Sequence, residues 1–122
     1  MILIDTSVWV DYLRAGDKLL VRLLDAREVL AHPFVIGELA LGNLRQRQFI
    51  LQALSDLPQA NVASDREVLH LIEHESLFGL GIGYVDAHLL AAVRLTADAR
   101  LWTRDKQLHS VAGRMGLAPK LS

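Results

Sequence analysis

No cysteine occurs among the 122 residues, which removes disulfide staples, thiolate zinc sites and cysteine nucleophiles together. A reducing, cytoplasmic setting fits such a chain. Long apolar runs are missing too. The longest stretch without Asp, Glu, Lys or Arg is the ten residues from Ser76 to Val85. It is glycine-rich and far short of the roughly 20 residues that cross a bilayer. The opening Met1-Ile2-Leu3-Ile4 meets Asp5 at once and has no basic lead, so it does not read as an export signal. No membrane association is expected. Nor does either sign of charge dominate, since 13 Lys and Arg stand against 14 Asp and Glu, a formal net charge of −1. The molecule as a whole does not attract polyanions, and nucleic-acid binding would need a local basic patch.

What the chain has is apolar bulk. Hydrophobic residues make up 52% and mean hydropathy is +0.26, rich for a small protein. That suffices for one domain over residues 1–122, with a core buried from several sides and apolar surface left for a partner. Met1 to Ile4 reads as a buried strand running into a helix that Thr6 or Ser7 can cap and that continues to about Arg14. Further helices are expected from Asp17 to Ala26, Pro33 to Leu41, Leu44 to Leu57, Ser64 to Glu75, Tyr84 to Leu95 and Asp105 to Arg114. Ser64-Asp65-Arg66-Glu67 is a capping-box signature, and Pro33 suits a first helical turn. Short strands are expected at Val29 to Ala31, Asn61 to Ala63 and Arg100 to Thr103. Strands alternating with helices make an α/β fold, a three-layer α/β/α domain with a mostly parallel central sheet. In such sheets ligands bind at the carboxyl ends of the strands, where Asp5 and Asp105 fall.

Most acidic residues stand where a solvated surface would put them; three do not. Asp5 follows Met-Ile-Leu-Ile, Glu38 sits inside Phe34-Val-Ile-Gly-Glu-Leu-Ala-Leu41, and Asp86 lies between Gly-Ile-Gly-Tyr-Val and Ala-His-Leu-Leu. A carboxylate in an apolar setting costs several kcal/mol unless paired, hydrogen-bonded or bound to a metal. A hard divalent cation would serve all three, because oxygen ligands without cysteine favour magnesium or manganese. Each acid also has a plain structural reading. Asp5 can cap the first helix, Glu38 can point outward, Asp86 suits the helix dipole, and Asp105 in Thr-Arg-Asp-Lys looks like an ordinary helix start.

Four blocks together resemble the PIN-domain family, and within it the VapC-type toxins: Ile4-Asp5-Thr6-Ser7-Val8-Trp9; Val35 to Gly42 around Glu38; Gly83 to Ala92 around Asp86; and Leu101-Trp102-Thr103-Arg104-Asp105. The resemblance covers nearly the whole chain, in family order and spacing. It implies a metal site of Asp5, Glu38, Asp86 and Asp105, all four catalytic, with Ser7 and Thr103 as supporting hydroxyls. Asp105 is either a direct ligand or an outer-shell group. Mg2+, replaceable by Mn2+, is the implied cofactor, and RNA the implied substrate of an endoribonuclease leaving 5′-phosphate and 3′-hydroxyl ends. A cognate antitoxin covering the acidic site, and a homodimer, are implied as partners. RNA must then be held by local cations: Arg45 and Arg47 follow the second block, Arg104 and Lys106 flank Asp105, and Arg14 and Lys18 follow the first helix. Each of these, alone, is equally a solvated surface charge.

Rival readings are weaker in their residues. His70-Leu-Ile-Glu73-His74 matches an H-x-x-E-H zinc-peptidase pattern, but on an amphipathic helix in a chain too small for that family. A receiver domain lacks its acceptor Asp near Asn61 to Ala63, and a haloacid-type phosphatase lacks Asp-x-Asp, since Asp5 is followed by Thr-Ser. A catalytically silent PIN scaffold that binds only RNA or protein remains the serious alternative.

Overall fold

A computed structural model describes residues 1–121. Three parallel strands form the sheet in the order β2-β1-β3: β1 Ile2–Ile4, β2 Val29–Leu30 and β3 Arg100–Trp102. Ile2 pairs with Val29 on one side and Arg100 on the other, and Ile4 with Trp102. Successive strand residues point to opposite faces, so the complete burial of both Leu3 and Ile4 means both faces are covered. Seven helices supply that cover among the described residues: α1 Thr6–Ala15, α2 Lys18–Asp25, α3 Pro33–Ala40, α4 Arg47–Asp56, α5 Asp65–His74, α6 Tyr84–Leu95 and α7 Lys106–Arg114. None is long and apolar enough to cross a membrane.

Local chemistry sets most helix ends. The Asp17 carboxylate accepts from Leu20 N–H at 2.9 Å and starts α2. At α5 the capping box forms: Ser64 Oγ accepts from Glu67 N–H at 3.1 Å, and Glu67 Oε1 accepts from Ser64 N–H at 2.9 Å. Pro33 opens α3, with His32 Nδ1 accepting from Phe34 N–H at 3.0 Å. Gly16, at φ +79°, turns the chain out of α1. Helix α6 is buried without a break from Ala87 to Val93, so it is the central helix of the core.

Two sequence expectations need correction. Asn61 to Ala63 forms no strand. The chain instead touches the sheet slightly earlier, where Ala31 N–H donates to Pro58 C=O and Ala60 N–H donates to Ala31 C=O, both at 2.8 Å. That is one parallel bridge, Ala31 to Gln59, and it goes no further. Nor does α4 begin at Leu44. Gln46 adopts a left-handed conformation at φ +52°, so regular helix starts only at Arg47.

Candidate active site

Strand β1 delivers Asp5 to the mouth of the sheet, its N–H bonded to Trp102 C=O at 2.9 Å. The residue occupies the N-cap position of α1, yet its side chain makes no capping hydrogen bond. Its Oδ2 instead accepts from Ser7 Oγ at 2.8 Å and Thr103 Oγ1 at 2.7 Å, and the residue is only 7% exposed. The capping reading of Asp5 therefore fails. Thr103 also accepts from Asp105 N–H at 3.1 Å, and Ser7 Oγ from Arg104 N–H at 3.1 Å. The two hydroxyls thus fasten the end of β3 to the start of α1, around one carboxylate.

The other three acids come from three helices. Glu38 is exposed on α3 and accepts at Oε1 from Thr6 Oγ1, 2.6 Å away. Asp86, in the first turn of α6, accepts at Oδ2 from Gly83 N–H at 2.9 Å. Asp105 caps α7, its Oδ1 accepting from Leu108 N–H at 2.9 Å, so its helix-start reading holds. Asp86 shows that the four share one region. Burial pushes its carboxyl above the ordinary range, and the charges of Asp5, Asp105 and Glu38 push the same way, against the opposing hydrogen bond from Gly83.

None of the four acids forms an ion pair among the described residues, where such pairs use Asp11, Asp17, Asp65 and Glu75. Two of the sequence-nominated cations are turned elsewhere. The Arg104 guanidinium grips Asp11 at 2.6 Å and also Asp17, with its carbon 5.6 Å from the Trp102 ring centre. Arg47 donates to the Gly42 carbonyl at 3.1 Å and to that of Ala40, fastening the end of the helix that carries Glu38. Arg45 and Lys106 are exposed.

As the side chains stand, no three His, Asp or Glu groups among the described residues are arranged to hold an ion. The physical reason lies in the bonds above. One oxygen of Asp5 is occupied by two hydroxyls, and Glu38 is turned to Thr6. The donor chemistry nevertheless suits a hard divalent cation: oxygen only, with three of the acids acting on the fourth and none of the four in an ion pair among the described residues.

Sequence reasoning missed a second cluster beside the first. His88, 2% exposed, lies 3.1 Å through Nε2 from Asp65 Oδ1, which also accepts from Tyr84 Oη at 2.9 Å. Phe34 packs on His88 and on the fully buried His32, whose pKa burial lowers to about 4. The peptidase-like His70 and His74 are elsewhere, stacked on α5 and lining a cavity of about 500 Å³ against the far half of α6.

The PIN domain family model matches residues 2–114. Two curated relatives, each called Ribonuclease VapC32, come from Mycobacterium tuberculosis strains CDC 1551 and H37Rv. Each is 50% identical over 118 residues, spanning 97% of this chain and 95% of the relative. Among solved structures, FitAcB from Neisseria gonorrhoeae superposes with a TM-score of 0.64 at 20% identity, covering 93% of this chain and 94% of that one. FitAB bound to an IR36 DNA fragment gives 0.62 at 18% identity, covering 93% and 91%. At those identities the two structures speak for the fold alone.

Proposed function

This chain belongs to the PIN-domain family as a VapC-type ribonuclease, and on that premise we propose that it cuts RNA by metal-dependent hydrolysis at Asp5, Glu38, Asp86 and Asp105. The observation that carries the proposal is the buried Asp5 carboxylate held by Ser7 and Thr103, with none of the four acids in an ion pair among the described residues and the charges of Asp5, Asp105 and Glu38 acting on the part-buried Asp86. A divalent cation, Mg2+ with Mn2+ as substitute, would supply charge neutralisation, polarisation of a phosphate oxygen and activation of water. Asp5, Glu38 and Asp86 would hold it, and Asp105 would serve as ligand or as proton acceptor at the outer rim.

The remaining parts are the chain's own. Ser7 and Thr103 fix the rotamer of Asp5 through Oδ2, so one ligand is oriented before substrate arrives. Thr6 holds Glu38 and the Gly83 N–H holds Asp86. Arg104 acts as a clamp on the α1–α2 side through Asp11 and Asp17, leaving Arg45 and Lys106 to meet RNA phosphates. In hydrolysis here water would add to phosphorus as the P–O3′ bond breaks, Asp105 would take the water's proton and the departing O3′ would be protonated from solvent, which leaves 5′-phosphate and 3′-hydroxyl ends; attack by the RNA 2′-hydroxyl would leave a cyclic phosphate instead.

The protein is the toxin of a toxin–antitoxin pair in this reading, cytoplasmic and homodimeric, and its antitoxin covers the acidic site with a cation such as arginine. Purified chain and total cellular RNA test the chemistry. Cutting in Mg2+ or Mn2+ that stops in EDTA is expected. No cutting under any condition, from folded and antitoxin-free protein, would leave a non-catalytic PIN scaffold.

A further inference from the structure

We propose that Phe34 and Tyr84 form a platform on which an unpaired base of the RNA stacks beside the acidic site, an inference that rests on the ribonuclease reading above. Both rings are open to solvent, 36% and 45% exposed. Phe34 lies one turn before Glu38 on the same face of α3, and Tyr84 opens the helix that carries Asp86.

Neither ring is a loose surface side chain. The ring centre of Phe34 is 4.6 Å from that of His88 and 5.2 Å from that of His32. Tyr84 meets His88 edge-on at 4.8 Å, with an interplanar angle of 87°, and its hydroxyl is tied to Asp65. His88 is buried and bound to the same carboxylate. The folded protein has therefore already fixed both rotamers, and a ligand does not bear that ordering cost.

Electrostatics selects the part of the nucleotide. Four carboxylates that form no ion pair among the described residues disfavour phosphate at this rim while no metal is bound, whereas a base is neutral and presents a π-face to an aromatic ring. Every base has such a face, so the platform sets where the strand lies without selecting a sequence. A paired base is already stacked in its duplex, so single-stranded RNA is the class of ligand it fits.

The test is fluorescence anisotropy in EDTA, where no cutting is expected. It compares a labelled mixed-sequence single-stranded oligoribonucleotide with an abasic ribose-phosphate strand of equal length. The intact chain should prefer the base-bearing strand by about tenfold, the order expected for one stacked base. Phe34→Leu and Tyr84→Leu should each remove several-fold of that preference, while abasic binding stays as it was. Equal binding of the two strands by the intact chain overturns the platform and needs no variant. If that chain still cuts total RNA in Mg2+, the platform alone falls; if it neither binds nor cuts, the ribonuclease reading falls with it. An unchanged RNA preference in both variants, with weaker capture of an arginine-bearing peptide, would reassign the rings to a protein partner and also overturn the proposal.

Discussion

Replacing Thr103 by Val removes the hydroxyl that orients Asp5, and a cycle with Asp5→Asn separates that role from its bond to Asp105 N–H. The two side chains have nearly the same shape, and Thr103 is 5% exposed, so packing is kept while the 2.7 Å bond to Asp5 Oδ2 is lost, together with the weaker bond that Thr103 Oγ1 accepts from Asp105 N–H at 3.1 Å. A hydrogen bond to a charged group contributes about 1.5–3 kcal/mol, and the carboxylate left behind is too buried for water to replace the donor fully. Ser7 still donates to the same oxygen, which argues for the lower half of that range, about 2 kcal/mol. Unfolding entropy near 2.1 cal/mol/K per residue gives roughly 0.26 kcal/mol/K for this chain, so Thr103→Val should melt about 8 °C lower. Circular dichroism melts in EDTA measure this directly. The cycle with Asp5→Asn should show coupling of about 1 kcal/mol or more, because the valine costs less once the charge is gone. A Thr103→Val melt within about 2 °C of the unaltered protein would refute the orienting role.

Buried His32 makes stability depend on pH. Its pKa is lowered to about 4, so its contribution is present above the unfolded value near 6.5 and is lost as pH falls toward 4. Between pH 7.5 and 5 that amounts to about 2 kcal/mol, and His32→Asn, which keeps an N-cap acceptor, should flatten the urea-measured slope by that amount. Asp86 has the opposite sign. Its raised carboxyl gives stability that is present below its unfolded value and lost as pH rises through the folded one, so Asp86→Asn should melt higher than the unaltered chain in EDTA at pH 7. The same variant should lose most of the rise in Tm that Mg2+ or Mn2+ gives the unaltered chain, since the cation binds only the folded state. RNA binding should separate the two arginines after α3. Arg45→Ala should lower the log–log salt slope by roughly 0.7, one single-strand phosphate contact, whereas Arg47→Ala should leave the slope unchanged.

Much of the frame was legible because its signals are local. Apolar Met1 to Ile4 stopping at Asp5, proline at the start of α3 and the Ser64–Glu67 capping box each specify structure within four residues, and each appears. The strand expected at Asn61 to Ala63 failed because pairing depends on a neighbour, and Ala31 takes its two bonds from Pro58 and Ala60. Helix α4 starts later than its apolar pattern suggests, because nothing in Leu44-Arg45-Gln46 announces the left-handed turn at Gln46.

At the site, the four acids come forward as a set only through the family resemblance, and the structure shows the charges of Asp5, Asp105 and Glu38 acting on Asp86. The sequence did not reveal what Arg104 does. The acids that hold it, Asp11 and Asp17, are 93 and 87 residues away and look like ordinary surface charges. Nor did it reveal the partner of His88, since Asp65 is 23 residues away on another helix. Long-range neighbours are set by topology, and topology leaves no mark in a short window of sequence.

The most direct test of the central claim is cleavage of total cellular RNA by Asp5→Asn beside the unaltered chain, both folded, in Mg2+ and in EDTA. Cutting by the unaltered chain in Mg2+ alone, ends bearing 5′-phosphate, and no cutting by Asp5→Asn are the predicted results. Undiminished cutting by Asp5→Asn, or cutting that persists in EDTA, would contradict a metal-dependent reaction carried by these carboxylates.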